Sequence, residues 1–483
     1  MQEHRPQGTG RGGDSVTFLD NTIFVVYMAG VMAVGVYHYR QNKNLDDYYV
    51  GGRDLSWSHV GMSVVATDVG GGFSIGLGGL GFAMGLAGSW LLFTGLIGAW
   101  LTAVVLIPRV KGLDQKQALM TYPDLLRWRY GKGTALVAAV ISGIGYLGFT
   151  GGQILAGAKL ASVTVFKQAP FGMEPMTFAL LAIAGITISY TVVGGLKAVI
   201  YTDTVQWMIL LGGLIFLALP AAYHAVDGWA GLKANLPASH FSLTNIAPRQ
   251  LINWAVTIIP IWFVGMTLYQ RIYACRNVKE ARKAWYLAGL LEYPLMAFSG
   301  VLLGMASRVL YPAVDPEMGL PLLVAEVLPM GVAGLVIAAY FSAIMSTADS
   351  CLMASSGNIV NDLLARLIPG LESDRAQIRL SMLVTAVVGI LAVLLASRFQ
   401  SVLDAILYAY AFMVSGLLVP TLGVFYLKQG GGAAAISAML VGGSFSLGAL
   451  VLGWDLPWGL DPACFAIPLS LLVFLTVARF TRT

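Results

Sequence analysis

The chain has 483 residues and a formal net charge of +5, yet only 11% of its residues are charged while 57% are hydrophobic. Soluble domains carry about 25% charged residues, so a body this large lacks the polar surface that water demands, and its medium is a bilayer. Three cysteines, Cys275, Cys351 and Cys464, are too few and too scattered for a disulfide framework, and the small positive charge speaks for membrane orientation and not for nucleic acid.

The polar segment 1–15 precedes an apolar run, 16–37, about as long as a bilayer is thick. Neither a basic leader nor a small-residue cleavage site comes before it, so it reads as an extra first helix and not as a signal peptide. Further apolar stretches follow, giving thirteen centred near Val26, Gly70, Leu96, Ile144, Ala184, Leu210, Ile259, Ala297, Met345, Val388, Val414, Leu440 and Leu472. The expected fold is an all-α integral membrane protein, one domain over 1–483 with about thirteen transmembrane helices. An odd number of spans puts the termini on opposite faces. Lys and Arg in alternate gaps total 21 on one face and 7 on the other, which places the N-terminus outside and the C-terminus in the cytoplasm. Short loops and the lack of an Asn-X-Ser/Thr sequon favour a prokaryotic plasma membrane, that is, an inner membrane.

The second span, from Ser63 through Asp68 to Gly81, is so rich in glycine that an unbroken helix is costly, at about 1 kcal/mol for each glycine. It is expected to unwind near Thr67 to Gly72, freeing carbonyls for an ion or a solute; close helix packing through small residues is the plainer alternative. A carboxylate in the middle of a span, here Asp68, is a functional candidate by default. Five spans later, Pro260 and Gly265 interrupt the seventh span. A repeat of five helices must lie inverted against its copy, which is the architecture of alternating-access transporters. The repeats would cover 57–223 and 249–428, with two additional helices in 433–480.

In the ninth span, Ala343, Ser346, Thr347 and Ser350 share one helical face, with Asp349 at its edge. Hydroxyls, carbonyls and a carboxylate suit a dehydrated alkali cation, although hydroxyls in a membrane helix also bond back to their own backbone. Asp203, at the start of the sixth span, reads either as a helix cap or as a cation ligand. Glu292 in the eighth span has no basic neighbour in sequence and receives no role, and Lys159 is the one candidate intramembrane base.

These residues carry a resemblance. The segments Ala66-Thr-Asp-Val-Gly-Gly-Gly, Tyr190 to Val199 followed by Tyr201-Thr-Asp-Thr-Val-Gln, Gln270-Arg271 and Ser342-Ala-Ile-Met-Ser-Thr-Ala-Asp-Ser resemble the sodium/solute symporter family over nearly the whole chain, nearest to its choline-transporter and proline-permease branches. The resemblance implies a LeuT-type five-plus-five inverted repeat and sodium-coupled uptake. It implies a sodium site built from backbone oxygens of Ala66, Val69 and Ala343 with the hydroxyls of Ser346 and Thr347. The pattern of a second cation, sodium or proton, falls on Asp203, Ser346, Asp349 and Ser350. Sugar-transporting members carry Gln and Glu where this chain has Gly72 and Phe73, which weighs against a sugar.

The expected function is sodium-coupled import of a small organic solute, an amino acid such as proline or an amine-bearing osmolyte, with a monocarboxylate, vitamin or choline-like solute as the alternative and a sensor or channel as the rival class. Candidate cavity residues are Asp68, Phe73, Trp90, Gln153, Trp262 and Tyr410, though the aromatics have the plainer use of packing between helices. No enzyme motif is apparent. Sodium, one or two ions, is the only metal expected, no organic cofactor is called for, and the partners are solute, sodium and lipid, with no obligate protein partner.

Overall fold

The computed structural model describes residues 17–39, 45–193, 196–364 and 374–481. The polar tail 1–15 and the glycine pair 194–195 of the segment Tyr190 to Val199 lie outside the described residues. Among those described, regular structure is helical apart from an isolated parallel bridge between Leu55 and Cys275. The chain runs through α1 (Phe18–Tyr39), α2 (Leu45–Val50), α3 (Trp57–Asp68), α4 (Gly70–Met84), α5 (Trp90–Val105), α6 (Ile107–Gln117), α7 (Tyr122–Tyr130) and the long α8 (Lys132–Val163). It continues with α9 (Pro175–Val193), α10 (Leu196–Gly212), α11 (Leu219–Ala225), α12 (Gly228–Asn235), α13 (Pro248–Val264), α14 (Met266–Ala274), α15 (Val278–Leu290) and α16 (Ala297–Leu310). The last helices are α17 (Pro316–Val327), α18 (Val332–Gly357), α19 (Asp374–Ala396), α20 (Val402–Tyr426), α21 (Gly432–Leu452) and α22 (Pro462–Phe480).

By length and composition nine helical stretches among the described residues can cross a membrane, or ten if the bent pair α13 and α14 is one span. The count of thirteen is therefore not reached on that measure. The difference lies in two shorter apolar helices, Phe18–Val31 and Pro175–Ser189, and in the stretch Gly70–Val105, which is continuous by length but turns at Gly85 with φ 72°.

Burial ranks the helices from centre to rim. Of the most apolar window of α18 with its continuation to Leu364, 89% is buried, against 28% for the windows of α19 and α22. The hydroxyl-bearing helix is therefore the axle of the bundle, and lipid-facing leucines such as Leu383, Leu394 and Leu472 sit on the outer helices. Around α18 pack α8, α10, α4 and α3, while α4 also lies along α16 and α17, and α3 along α15. The three cysteines are free, and burial pushes the Cys275 thiol, in the turn after α14, up to about 12, which leaves it inert at neutral pH.

Both expected interruptions are present, in altered form. The second span does not unwind over Thr67 to Gly72; α3 and α4 stay helical to within one residue of each other and meet at Val69, with the fault concentrated in Gly70 at φ 49°. A left-handed residue costs about 1–2 kcal/mol unless it is glycine, and a Cβ at Gly70 would also overlap the Thr347 hydroxyl. The break is thus a single glycine hinge pressed on α18. In the seventh span the chain parts at Gly265 (φ −65°, ψ 115°) and bends by 43°, while Pro260 remains inside α13. The break falls at Gly265, in extended backbone that any residue can adopt, and not at Pro260.

Gly70→Ala is expected to lower the melting temperature of the purified protein by the equivalent of about 2 kcal/mol or more. Gly185→Ala, where a Cβ meets no atom within 4 Å, should leave it unchanged or raise it. Equal behaviour of the two variants in a thermal-shift assay would show that the hinge carries no special constraint.

Candidate functional site

The hinge brings the two expected segments together. Thr347 Oγ1 lies 3.0 Å from the carbonyl oxygen of Ala66 and 3.1 Å from that of Ala343, and Ser346 Oγ lies 3.1 Å from the Ala343 oxygen. Ala66, Val69, Ala343, Ser346 and Thr347 are each at most 2% exposed. The Ala66 carbonyl is available because its helix ends two residues later, so the usual donor four positions on is Gly70, whose left-handed backbone turns away. The Val69 carbonyl accepts the Phe73 amide at 3.1 Å, which leaves one lone pair free. The Ala66 and Ala343 carbonyls and the Ser346 and Thr347 hydroxyls, from α3 and α18, form a neutral, all-oxygen cluster of the kind a hard monovalent cation requires, whereas no contact among the described residues brings the Val69 carbonyl onto it.

Towards the end of the bundle that carries Arg53 and Lys111, a second polar cluster is centred on Arg271 of α14, for which the sequence reading had no role. Arg271 and Asp203 are both fully buried and pair at 3.1 Å. The guanidinium also donates from Nε to Ser63 Oγ at 2.9 Å, from Nη1 to the Thr267 carbonyl at 3.2 Å, and from Nη2 to Thr67 Oγ1 and to Ser350 Oγ at 3.0 Å. One side chain therefore ties α3, α10, α14 and α18. Ser63 donates to Asp203 as well, and Ser346 reaches the same carboxylate. Asp203 lies inside α10 and caps no helix end.

Of the second-cation candidates, Asp203, Ser346 and Ser350 meet around this guanidinium. Asp349 is turned towards α9, where Thr191 donates to its Oδ1, and its Oδ2 has no hydrogen-bond partner. Helical geometry explains the divergence: Asp349 and Ser350 are successive residues, set 100° apart, so they face different neighbours.

The third cluster surrounds Asp68. Tyr410 of α20 donates to Asp68 Oδ1 at 3.2 Å, and its ring lies 6.0 Å from Phe73 and 5.0 Å from Phe149. Tyr146 extends the aromatic row and exchanges a 3.1 Å hydrogen bond with Thr267. Glu292, in the π-helical turn Leu291–Met296 between α15 and α16, is fully buried and reaches the Asp68 carboxyl. Gln153 accepts the Gly72 amide at 3.1 Å while its own amide nitrogen has no partner.

Two other cavity candidates sit elsewhere. Trp90 stands at the first residue of α5 and donates to the Leu243 carbonyl at 2.8 Å, tying a loop to the bundle end. Trp262 is wedged between Gly98 of α5 and Trp285 of α15, as a packing aromatic would be. Lys159 is no free base: it pairs with Glu317 at 2.6 Å and with Asp315 at 3.5 Å, and Glu317 in turn accepts the Val402 and Leu403 amides that begin α20.

A family model described as the sodium:solute symporter family matches residues 48–442. The chain belongs to that family. Among its relatives, sodium/myo-inositol cotransporter 2 of Sus scrofa is 29% identical over 92% of this chain and 71% of its own length. The high-affinity proline transporter PutP of Bacillus subtilis is also 29% identical, over 85% and 88%. A solved structure, the substrate-bound outward-open state of a Na+-coupled sialic acid symporter, superposes with a TM-score of 0.77 at 21% identity, covering 96% of this chain and 97% of that one. The fold of this symporter family member is accordingly the LeuT-type helical fold expected from its sequence, and it is a multi-pass transporter and not an enzyme. Inositol and proline relatives stand at equal identity, so similarity does not choose the solute; the side chains must.

Arg271→Ala leaves Asp203 buried without a counter-charge, which should destabilise this symporter by about 3–5 kcal/mol. Pairing it with Asp203→Ala removes the orphaned charge and should restore part of the loss. Monodispersity on heating, followed by fluorescence-detected size exclusion, checks both; a double variant no better than the single one would show that the pair is not the source of the stability.

Proposed function

We propose that the chain is a sodium-coupled symporter that imports a small organic solute, an amino acid such as proline or an amine-bearing osmolyte, by alternating access. The observation that carries this reading is the convergence of the Ala66 and Ala343 carbonyls on Thr347 Oγ1 at 3.0 and 3.1 Å. The Thr347 and Ser346 hydroxyls now donate to backbone carbonyls. When sodium binds they rotate, and their lone pairs join the carbonyls around the ion, replacing its water.

Arg271 supplies the positive charge that Asp203 needs, so the second-cation pattern is filled by the protein's own guanidinium and one sodium accompanies each solute. Sodium then acts as a bond between α3 and α18, closing the hinge at Gly70, while the segments 57–223 and 249–428 move against each other as inverted repeats. With the N-terminus outside and the C-terminus in the cytoplasm of a prokaryotic plasma membrane, the Arg271 cluster lies on the cytoplasmic side of the sodium site, where it must loosen for release. One charge moving down about 100 mV yields about 2.3 kcal/mol, which supports a solute gradient of about fifty-fold.

The test is uptake into proteoliposomes of labelled proline, choline, myo-inositol and lactate, with and without an inward sodium gradient. Wild-type protein should accumulate proline or another amine only with sodium. Ser346→Ala and Thr347→Ala should each raise the sodium concentration for half-maximal uptake by about tenfold or more, since each removes one ligand from the ion. Accumulation driven by a pH gradient and indifferent to sodium would overturn the coupling.

A further inference from the structure

Glu292 has no role in the sodium site or in the Arg271 cluster, yet it is a fully buried acid with no ion pair among the described residues. It is 0% accessible and, apart from the Asp68 carboxyl that it reaches, neither of its carboxyl oxygens has a hydrogen-bond partner among the described residues. Its polar neighbour is a second carboxyl, that of Asp68, which also accepts the Tyr410 hydroxyl at 3.2 Å. The three buried lysine and arginine side chains among the described residues are already engaged, Lys111 by Asp114 at 2.8 Å, Lys159 by Glu317 at 2.6 Å and Arg271 by Asp203 at 3.1 Å, and the buried His240 ring is bonded to the Phe82 carbonyl. Buried carboxyl oxygens rarely lack donors in native proteins, and where they do a missing group is the usual reason.

The surroundings hold this pair in place. Glu292 projects from the kink between α15 and α16, where Tyr293 leaves helical geometry (φ −134°, ψ 121°). Opposite it on α5 stands Gly95, where a Cβ would overlap Glu292 Oε2, so a side chain there would displace the carboxyl. Asp68 arrives from the broken second span and Tyr410 from α20, with the rings of Phe73 and Phe149 beside it. Asp68 precedes the Gly70 hinge by two residues, so whatever binds the pair also bears on the element that holds the sodium oxygens.

We infer that Asp68 and Glu292 jointly receive an N–H-bearing cation, the ammonium, amidinium or guanidinium group of the transported solute, with Tyr410 completing the shell. This rests on the symporter reading and narrows its solute class. Aromatic rings alone would serve a quaternary ammonium, but such a group has no N–H and would leave the Glu292 oxygens as bare as before. A polyol such as myo-inositol brings donors without a positive charge to offset the buried carboxyl pair. A monocarboxylate adds a third carboxyl to a site with no basic side chain among the described residues.

Carboxyl-stretch infrared difference spectra of reconstituted protein, perfused in sodium buffer with methylammonium, guanidinium or tetramethylammonium at constant ionic strength, test the inference. Methylammonium or guanidinium should perturb the carboxyl bands saturably and tetramethylammonium should not. Glu292→Gln and Asp68→Asn should each abolish the change or raise its half-saturating concentration about tenfold or more. A carboxyl signal that tetramethylammonium reproduces, that persists in Glu292→Gln, or that never appears with either N–H cation overturns the assignment. The sodium-induced difference spectrum is recorded in the same cell, together with Ser346→Ala. Its loss in that variant, beside silent carboxyls, sinks the twin-carboxyl site alone, whereas a wild-type protein without any sodium response sinks the symporter reading.

Discussion

The contact between the Thr347 hydroxyl and the backbone at Ala66 and Gly70 is the constraint from which the arrangement follows. It requires a helix with no side chain at one point, a left-handed residue at that point, and a hydroxyl opposite. Only together do these expose a carbonyl at membrane depth without leaving it unsatisfied, since Thr347 donates to it in the ion's stead. Because α18 is the most enclosed helix of the bundle, the contact lies where water is excluded and where a bare ion gains most from fixed dipoles.

Around that contact the acids are handled in three ways. Asp203 has a built-in cation, Arg271, whose guanidinium reaches five acceptors on four helices. Glu317 has Lys159 and the first amides of α20, so an ion pair and a helix N-terminus share one carboxylate. Asp68 and Glu292 have only Tyr410 and each other. The same buried charge is thus structural in two places and unfinished in the third, and the difference is set by whether a basic side chain comes within reach.

Much of the sodium cluster was legible along the chain. The spacing of Ala343, Ser346 and Thr347 fixes them to one face at 100° per residue, and the glycine run around Gly70 marks a costly helix. The extent of the break was misread because glycine propensity gives an average penalty over the run, whereas packing against α18 lets most of those glycines stay helical and concentrates the fault in one. Arg271 was visible only as half of a Gln-Arg pair, since its partner Asp203 is 68 residues earlier and no local spacing links them. Glu292 drew no role for the same reason, its neighbour Asp68 being on another span.

Composition determined that the chain crosses a bilayer, and apolar runs about twenty residues long that it does so as helices, which pair their own peptide groups in hydrocarbon. Periodicity determined which residues share a helical face. The tertiary structure decided which faces meet: it gave Asp203 to a guanidinium, turned Asp349 to Thr191, moved Trp90 and Trp262 into packing roles, and set Glu292 against Asp68. Each of those outcomes depends on distances between spans far apart in sequence, and the cost or gain of a buried charge is decided by such distances and by nothing local.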